Sequence, residues 1–451
     1  MSNKPKFFGT DGIRGVAGSF PLDRAMVGKI GRALGRVLRA TSGTPRVLLG
    51  QDTRESGEWI SRTLATGLRA EGAEVTYAGV ITTPGVAFLT RHHAFAAGVV
   101  VSASHNPYED NGIKVLARTG MKFSEDAEVE IERALEQVDA GGVAIPEAPL
   151  EIKPGLLEDY LEFLASLVPS GKSFHGYRLV VDCAHGAASR AAPALFARLG
   201  IEARILHAEP TGRNINLQCG SLYPETMQAT TQSLGADLGV AFDGDADRAI
   251  FATRPGRLVD GDHVLFGVAP FLAQRGLLKG GAVVGTLMTN LALELAFARH
   301  GLALKRTAVG DKYVLEEMLR SSINLGGEPS GHLIFADVSL AGDGFITLLH
   351  VLWLLSETGQ SLDAVVSGYR PFPQIIRNVR VRAKKVLEGV PEIAQAIEEC
   401  RGALGARGRV VVRYSGTEPL ARVMVEAEDA ATVEFHAAQI AGAIDAALGL
   451  R

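Results

Sequence analysis

Residues 177–187, YRLVVDCAHGA, run on through AAPALFARLG (191–200) into IEARIL (201–206). A branched, apolar run of strand length breaks at a polar turn carrying Asp182, His185 and Gly186. A helical stretch of roughly three turns follows, ends at Gly200, and gives way to a second apolar-rich run. Strand, polar turn, helix, glycine, strand is the signature of a βαβ unit. The same order recurs twice. RVLLGQDTR (46–54) leads into a helical stretch to Ala70, then Gly72 and a strand around Glu74 to Ala78. GGAVVGTLMTN (280–290) leads into LALELAFARHG and the strand ALKRTAV. Three copies without a fixed period predict three related α/β domains, each enlarged by its own insertions. Residues 375–448 read strand, helix, strand, strand, helix, a compact α+β unit. Gly- and Pro-rich stretches at 139–155, 253–262 and 367–374 place the expected domains at 1–150, 151–255, 256–368 and 369–451.

Composition fits this division. The 451 residues are too many for one hydrophobic core, and 47% hydrophobic with 21% charged residues is ordinary for a globular chain. A net charge of −4 with no dense Lys/Arg run argues against a nucleic-acid partner. Cys183, Cys219 and Cys400 are odd in number and far apart, which suits a reducing compartment and predicts neither a disulfide framework nor a zinc site. The longest apolar stretch, Phe345 to Leu355, is too short to span a bilayer and predicts a buried helix, so no membrane partner is expected. The start, MSNKPKFFGT, has no apolar signal core, and the expected location is cytoplasmic.

Five stretches carry chemistry. After the apolar run 94–101, the chain turns abruptly polar at Ser102, Ser104, His105, Asn106 and Pro107, and Asn-Pro fixes a bend. Such a loop at a sheet edge suits a catalytic serine, although a plain polar turn would read similarly. FGTDGIRG (8–15) packs glycines around Arg14, whose planar fork suits phosphate. Leu238 to Phe242 run into Asp243, Asp245 and Asp247, three carboxylates at alternate positions that can converge on one hard cation. An EF-hand is excluded, since its sixth and twelfth positions would be Arg248 and Arg254. GGEPSGH (326–332) offers a carboxylate, a hydroxyl and an imidazole on a glycine-flexed loop, a set suited to sugar hydroxyls. RYSGTEP (413–419) places an arginine, two hydroxyls and backbone N–H groups around a glycine, with Arg422 close behind, as a phosphate cradle would. A polar hairpin remains the alternative reading of both loops.

Taken together, FGTDGIRG, SASHNPYEDNGIK, DGDADR, GGEPSGH and RYSGTEPLARVMVE, in this order along essentially the whole chain, resemble the α-D-phosphohexomutase superfamily. The resemblance implies three similar α/β domains plus a smaller C-terminal α+β domain around a central cleft. It also implies that Ser104 carries the phosphoryl group and that Asp243, Asp245 and Asp247, completed by Ser104, hold Mg²⁺. Glu328, Ser330 and His332 would contact the sugar, while Arg413, Ser415, Gly416, Thr417 and Arg422 would grip the phosphate not being transferred. Arg14, Lys114 and Arg248 are the nearest cations by motif. Either Lys114 or His105 would serve as general acid or base. The implied partners are a sugar monophosphate and a sugar bisphosphate intermediate, and a homodimer is compatible with the pattern. Pro329 and Tyr414 depart from residues common in the family, which bears on the fit of the sugar and phosphate loops. A phosphatase with an aspartate nucleophile would account for Asp243 and Asp245 but leaves 102–107 and 413–419 without a role. A non-catalytic sugar-phosphate sensor would not need Ser104 and all three aspartates.

Overall fold

The computed structural model describes residues 5–138, 149–415 and 419–450. Its first three units are built on one plan. In the first, Arg46–Gln51 lies between Glu74–Val80 and Ala97–Val101, parallel to both, and Ala97–Val101 returns antiparallel as Asp110–Ala117. Ile13–Val16 adds an antiparallel edge. In the second, Arg178–Asp182 lies between Glu202–Leu206 and Leu238–Phe242, and the latter returns as Ala249–Thr253. In the third, Ala282–Thr286 lies between Ala303–Thr307 and Leu325–Gly327, and the latter returns as Leu333–Phe335. The three units therefore place equivalent hairpin turns at 102–109, 243–248 and 328–332. These are the turns whose residues carry the predicted chemistry.

The inner strands Ala97–Val101, Leu238–Phe242 and Ala282–Thr286 are fully buried, as expected where helices cover both faces of a sheet. The last domain is a three-stranded antiparallel sheet, Gln374–Arg380, Leu420–Ala427 and Gly408–Tyr414 in spatial order, with helices Pro391–Leu404 and Ala430–Leu448. The fold class is thus the predicted one: three similar α/β units and a smaller α+β unit.

Two details differ from the expectation. The second sheet continues past residue 255, because Gly256 turns the chain at φ +87° and Leu258–Val259 pairs back onto Ala249–Thr253. The second and third units also share one hydrophobic core, in which the rings of Phe242 and Phe345 lie 4.7 Å apart. Phe345 belongs to helix Gly344–Thr358, apolar on nearly every face and buried, as the composition of 345–355 predicts. Asp343 caps that helix by accepting from the N–H groups of Phe345 and Ile346, and the Tyr160 hydroxyl donates to its other oxygen at 2.7 Å. Among the described residues, no helix is long and apolar enough to cross a membrane.

Candidate active site

The turn after Val101 is shaped by groups distant in sequence. Ser104 has φ +54°, a conformation that an L side chain adopts only when its surroundings enforce it. Arg54 supplies much of that enforcement. Its Nη2 donates to the carbonyls of Ser104 and Asn106 at 2.9 Å each, and its Nη1 donates to that of Pro107. Asp52 anchors Arg54 in a fully buried pair at 2.9 Å and accepts from the Ser102 hydroxyl at 2.6 Å. The Ser102 hydroxyl in turn accepts the Ser104 N–H at 3.0 Å. From the second unit, Asn216 Nδ2 donates to the Ser104 and Asn106 carbonyls at 2.9 and 3.0 Å.

Arg54 alone reaches three carbonyls with one rigid fork, which a lysine cannot copy. Arg54→Lys is therefore expected to lower kcat roughly 10- to 100-fold through misplacement of the turn, with a smaller change in KM. Steady-state kinetics beside an unchanged circular dichroism spectrum would check it.

So held, the Ser104 hydroxyl donates to Asp243 Oδ2 at 2.6 Å and lies 3.3 Å from His105 Nδ1. The approach of the two turns depends on Gly244, where a Cβ would stand 2.5 Å from the Ser104 carbonyl. Asp243, Asp245 and Asp247 are buried, and one oxygen from each lies within 4.8 Å of the others. Burial, followed by the charges of Asp247 and Asp245, pushes the Asp243 carboxyl well above its ordinary range. Burial opposes ionisation of Asp247 too, but His332 and Lys114 hold it below the usual range.

Lys114 is buried at the centre of this charge, 2.7 Å from Asp245, 3.1 Å from Asp11 and 3.7 Å from Asp247. These carboxylates outweigh its burial and keep it cationic. Arg14 pairs with Asp11 on the same turn. The backbone N–H of Arg248 donates to Asp243 Oδ1, and its partly buried guanidinium is held charged, against desolvation, by Asp243, Asp247 and Glu328. Among the described residues, Asp245 Oδ1 has no hydrogen-bond partner, and Asp247 Oδ1 has only the His332 imidazole at 3.5 Å. Three hard oxygen donors, two of them without a close hydrogen bond, match what a small divalent cation requires.

The sugar-loop residues close the other side. Glu328 Oε1 accepts the Gly310 N–H at 3.0 Å, and the Pro329 carbonyl accepts from Gly261 at 3.1 Å. Pro329 is thus used through its carbonyl, so its departure from the family pattern disturbs no side-chain role. Ala249 N–H donates to the Gly331 carbonyl at 3.1 Å, which locks this loop to the strand leaving the aspartate turn. His332 sits between Asp247 at 3.5 Å and Asp311 at 3.6 Å. Burial disfavours its charge, yet Asp247 and Asp311 raise its pKa to about 9. The Ser330 hydroxyl oxygen is buried and has no hydrogen-bond partner among the described residues. His105 is the opposite case: burial, then the nearby Arg248 and Arg14, lower it to about 4, so its imidazole is neutral at pH 7.

In the last domain, Arg413 and Arg422 are directly opposed on neighbouring strands. Burial and the charge of Arg422 lower the Arg413 pKa, the mark of crowded positive charge. The Tyr414 hydroxyl donates to the Lys385 carbonyl at 2.7 Å. The Ser415 N–H is bonded to the Leu420 carbonyl at 2.8 Å, whereas Gly416 and Thr417 lie outside the described residues.

Sequence reading missed Arg54, Asp52, Asn216, Thr83 and Asp11. Thr83 donates to Asp245 Oδ2 at 2.5 Å from the first position of helix Thr83–His92, which carries no motif. A signal existed for Asp52 and Arg54, which end the first repeat's strand where Asp182 ends the second's. Asp182, His207 and Cys219 form another compact group of metal-ligating type. There, however, both Asp182 oxygens are already taken, by the N–H groups of Ala184 and Gly220 and by His207 Nδ1. That group buttresses the loop leading to Asn216.

The fold and these turns coincide with known proteins over the whole chain. Four profiles described as phosphoglucomutase/phosphomannomutase match in order: alpha/beta/alpha domain I at residues 5–141, domain II at 158–256, domain III at 260–372 and the C-terminal domain at 377–443. The chain belongs to the phosphoglucomutase/phosphomannomutase family and is a phosphohexomutase, an isomerase. It is 51% identical to the phosphoglucosamine mutase of Koribacter versatilis, covering 99% of this chain and 98% of the relative. It is 48% identical to that of Solibacter usitatus, covering 98% and 99%. Among solved structures, a Burkholderia thailandensis phosphoglucomutase/phosphomannomutase family protein superimposes with a TM-score of 0.78 at 24% identity, over 99% of both chains. An Aspergillus fumigatus N-acetylphosphoglucosamine mutase, solved with GlcNAc-6P and magnesium, gives 0.66 at 19% identity, over 98% and 96%.

Proposed function

We propose that the protein interconverts glucosamine 6-phosphate and glucosamine 1-phosphate, with Ser104 carrying the phosphoryl group. The observation that carries this reading is the placement of Ser104 Oγ, 2.6 Å from Asp243 on a turn locked from two domains. The phosphorylated Ser104 gives its phosphoryl group to the sugar's free hydroxyl, which loses its proton, and a sugar bisphosphate forms with the free serine. After the bisphosphate turns over, its other phosphoryl group passes to Ser104 and the isomeric monophosphate leaves.

Asp243, Asp245 and Asp247 would hold Mg²⁺, with an oxygen of Ser104 beside them. A bound Mg²⁺ supplies neutralisation of the charge on the phosphoryl oxygens. Lys114, paired with Asp11, Asp245 and Asp247, adds positive charge beside the aspartates. His105, neutral and 3.3 Å from Ser104 Oγ, is the group placed to take or return the proton. Arg413, Ser415 and Arg422, with Gly416 and Thr417 by motif, would grip the second phosphate.

The 2-amino group is the distinguishing feature of the substrate. Glu328 is oriented by Gly310 and stands near Arg248, and its carboxylate suits an ammonium better than a hydroxyl. The names of the relatives support the same sugar. The three free, buried cysteines suit a reducing, cytoplasmic setting for this reaction.

The test is kcat/KM measured side by side on glucosamine 1-phosphate, glucose 1-phosphate and mannose 1-phosphate, with release of free phosphate followed in parallel. Glucosamine phosphate is expected to be preferred, with weak turnover of glucose phosphate and no net phosphatase activity. Preference for a neutral sugar would overturn the amino-sugar assignment and leave the mutase reading standing.

A further inference from the structure

Six side chains from three domains, three acids alternating with two lysines and one imidazole, follow one another around a closed ring. Lys114 meets Asp11 at 3.1 Å, and Asp11 meets Lys122 at 2.5 Å. Lys122 meets Asp311 at 2.7 Å, and Asp311 meets His332 at 3.6 Å. His332 meets Asp247 at 3.5 Å, and Asp247 returns to Lys114 at 3.7 Å. Lys114, Asp247 and His332 belong to the site already described. Lys122 and Asp311 do not, and nothing in the phosphoryl transfer accounts for them.

Their location excludes a simple surface pair. Lys122 follows the return strand of the first unit, and Asp311 opens helix Asp311–Ser321 of the third. Their side chains are each only 19% exposed. Behind them lies an apolar crevice of about 230 Å³ between the two units, lined by Leu116, Met121, Phe123, Leu315, Ile334 and Leu340. Partly buried between the two units, these ion pairs are less screened than exposed ones.

We propose that Lys122 and Asp311 are positioning residues that close this ring and thereby fix Lys114 and His332 against the aspartate turn. Through Asp11, Lys122 orients the lysine at the phosphoryl end; through Asp311 it orients the imidazole at the sugar end. The two ends are thus set by one cation bridging the first and third domains. This inference rests on the phosphohexomutase reading of the site.

The test compares Lys122→Met, Lys122→Arg, Asp311→Asn and the Lys122→Met/Asp311→Asn double variant in the full chain. Each is assayed on glucosamine 1-phosphate, and its phosphoserine content is read by intact mass. Each neutral single variant is expected to lose roughly 10- to 100-fold in kcat, with KM changed by less than about 3-fold. Lys122→Arg should recover most of the loss. The double variant should be no worse than the poorer single, because both break one chain. Phosphoserine content should stay at the wild-type level, separating misplacement from loss of the acceptor. Full kcat in Lys122→Met, or multiplicative losses in the double variant, would overturn the proposal. Should Lys122→Met not fold, Asp311→Asn against wild type decides by the same kcat criterion. A wild-type protein that isomerises no sugar phosphate would instead sink the reading beneath it.

Discussion

Ser104→Ala is expected to remove turnover, by at least about 10⁴-fold, while leaving the protein folded. The loss is large because the acceptor oxygen itself disappears, and no neighbour can replace it. Ser102 is close in sequence, but its hydroxyl is committed to Asp52 at 2.6 Å and to the Ser104 N–H at 3.0 Å. Folding should survive because the Ser104 side chain holds nothing in place. The turn is fastened by carbonyl bonds to Arg54 and Asn216, which alanine keeps. The hydroxyl's bond to Asp243 is lost at a cost of about 1 kcal/mol, and Asp243 retains the Arg248 N–H. Intact-protein mass with and without phosphatase treatment would show one phosphoryl group on the wild type and none on the variant. Mapping of a stable phosphate to Ser102 would move the role two residues.

The second large effect is expected at Asp245. Asp245→Ala should lower kcat about 10³-fold, and chelation of divalent cations should do the same to the wild type. The more telling measurement is stability. Burial, and then the neighbouring charges of Asp247 and Asp245, raise the Asp243 carboxyl, while Lys114 lies 2.7 Å from Asp245 as a compensating charge. Added Mg²⁺ at a hundredfold its Kd should therefore stabilise the wild type by about 2.7 kcal/mol and shift its melting midpoint upward. In Asp245→Ala this shift should shrink or vanish, since one hard ligand is gone. Full wild-type activity in excess chelator, or an equal Mg²⁺ shift in both proteins, would end the metal assignment.

Much of this arrangement is legible in the sequence, for a definite reason. The repeated strand, turn, helix and glycine are local patterns, and each motif sits directly after an apolar run. The last domain's predicted order of strand, helix, strand, strand and helix is the order observed. The residues that lock the site leave no such trace. Asn216 reaches Ser104 from 112 positions away, and Lys122 reaches Asp311 across 189. Nothing around either residue marks it as more than a polar loop position. The shared core of the second and third units is hidden for the same reason. Helix Gly344–Thr358 announces that it is buried, but not that the covering face of Phe242 belongs to another repeat.

The three equivalent hairpin turns have a consequence for how such an enzyme can change. A unit repeated around one centre presents the same bend from several directions, yet the copies are not free of one another. The third bend is bonded through Gly331 to Ala249, at the start of the strand that leaves the aspartate turn, and Phe242 and Phe345 share one core. His332 stands 3.5 Å from Asp247. A substitution within Glu328–His332 is therefore felt at the aspartates, and any drift of one bend must be matched by its neighbours.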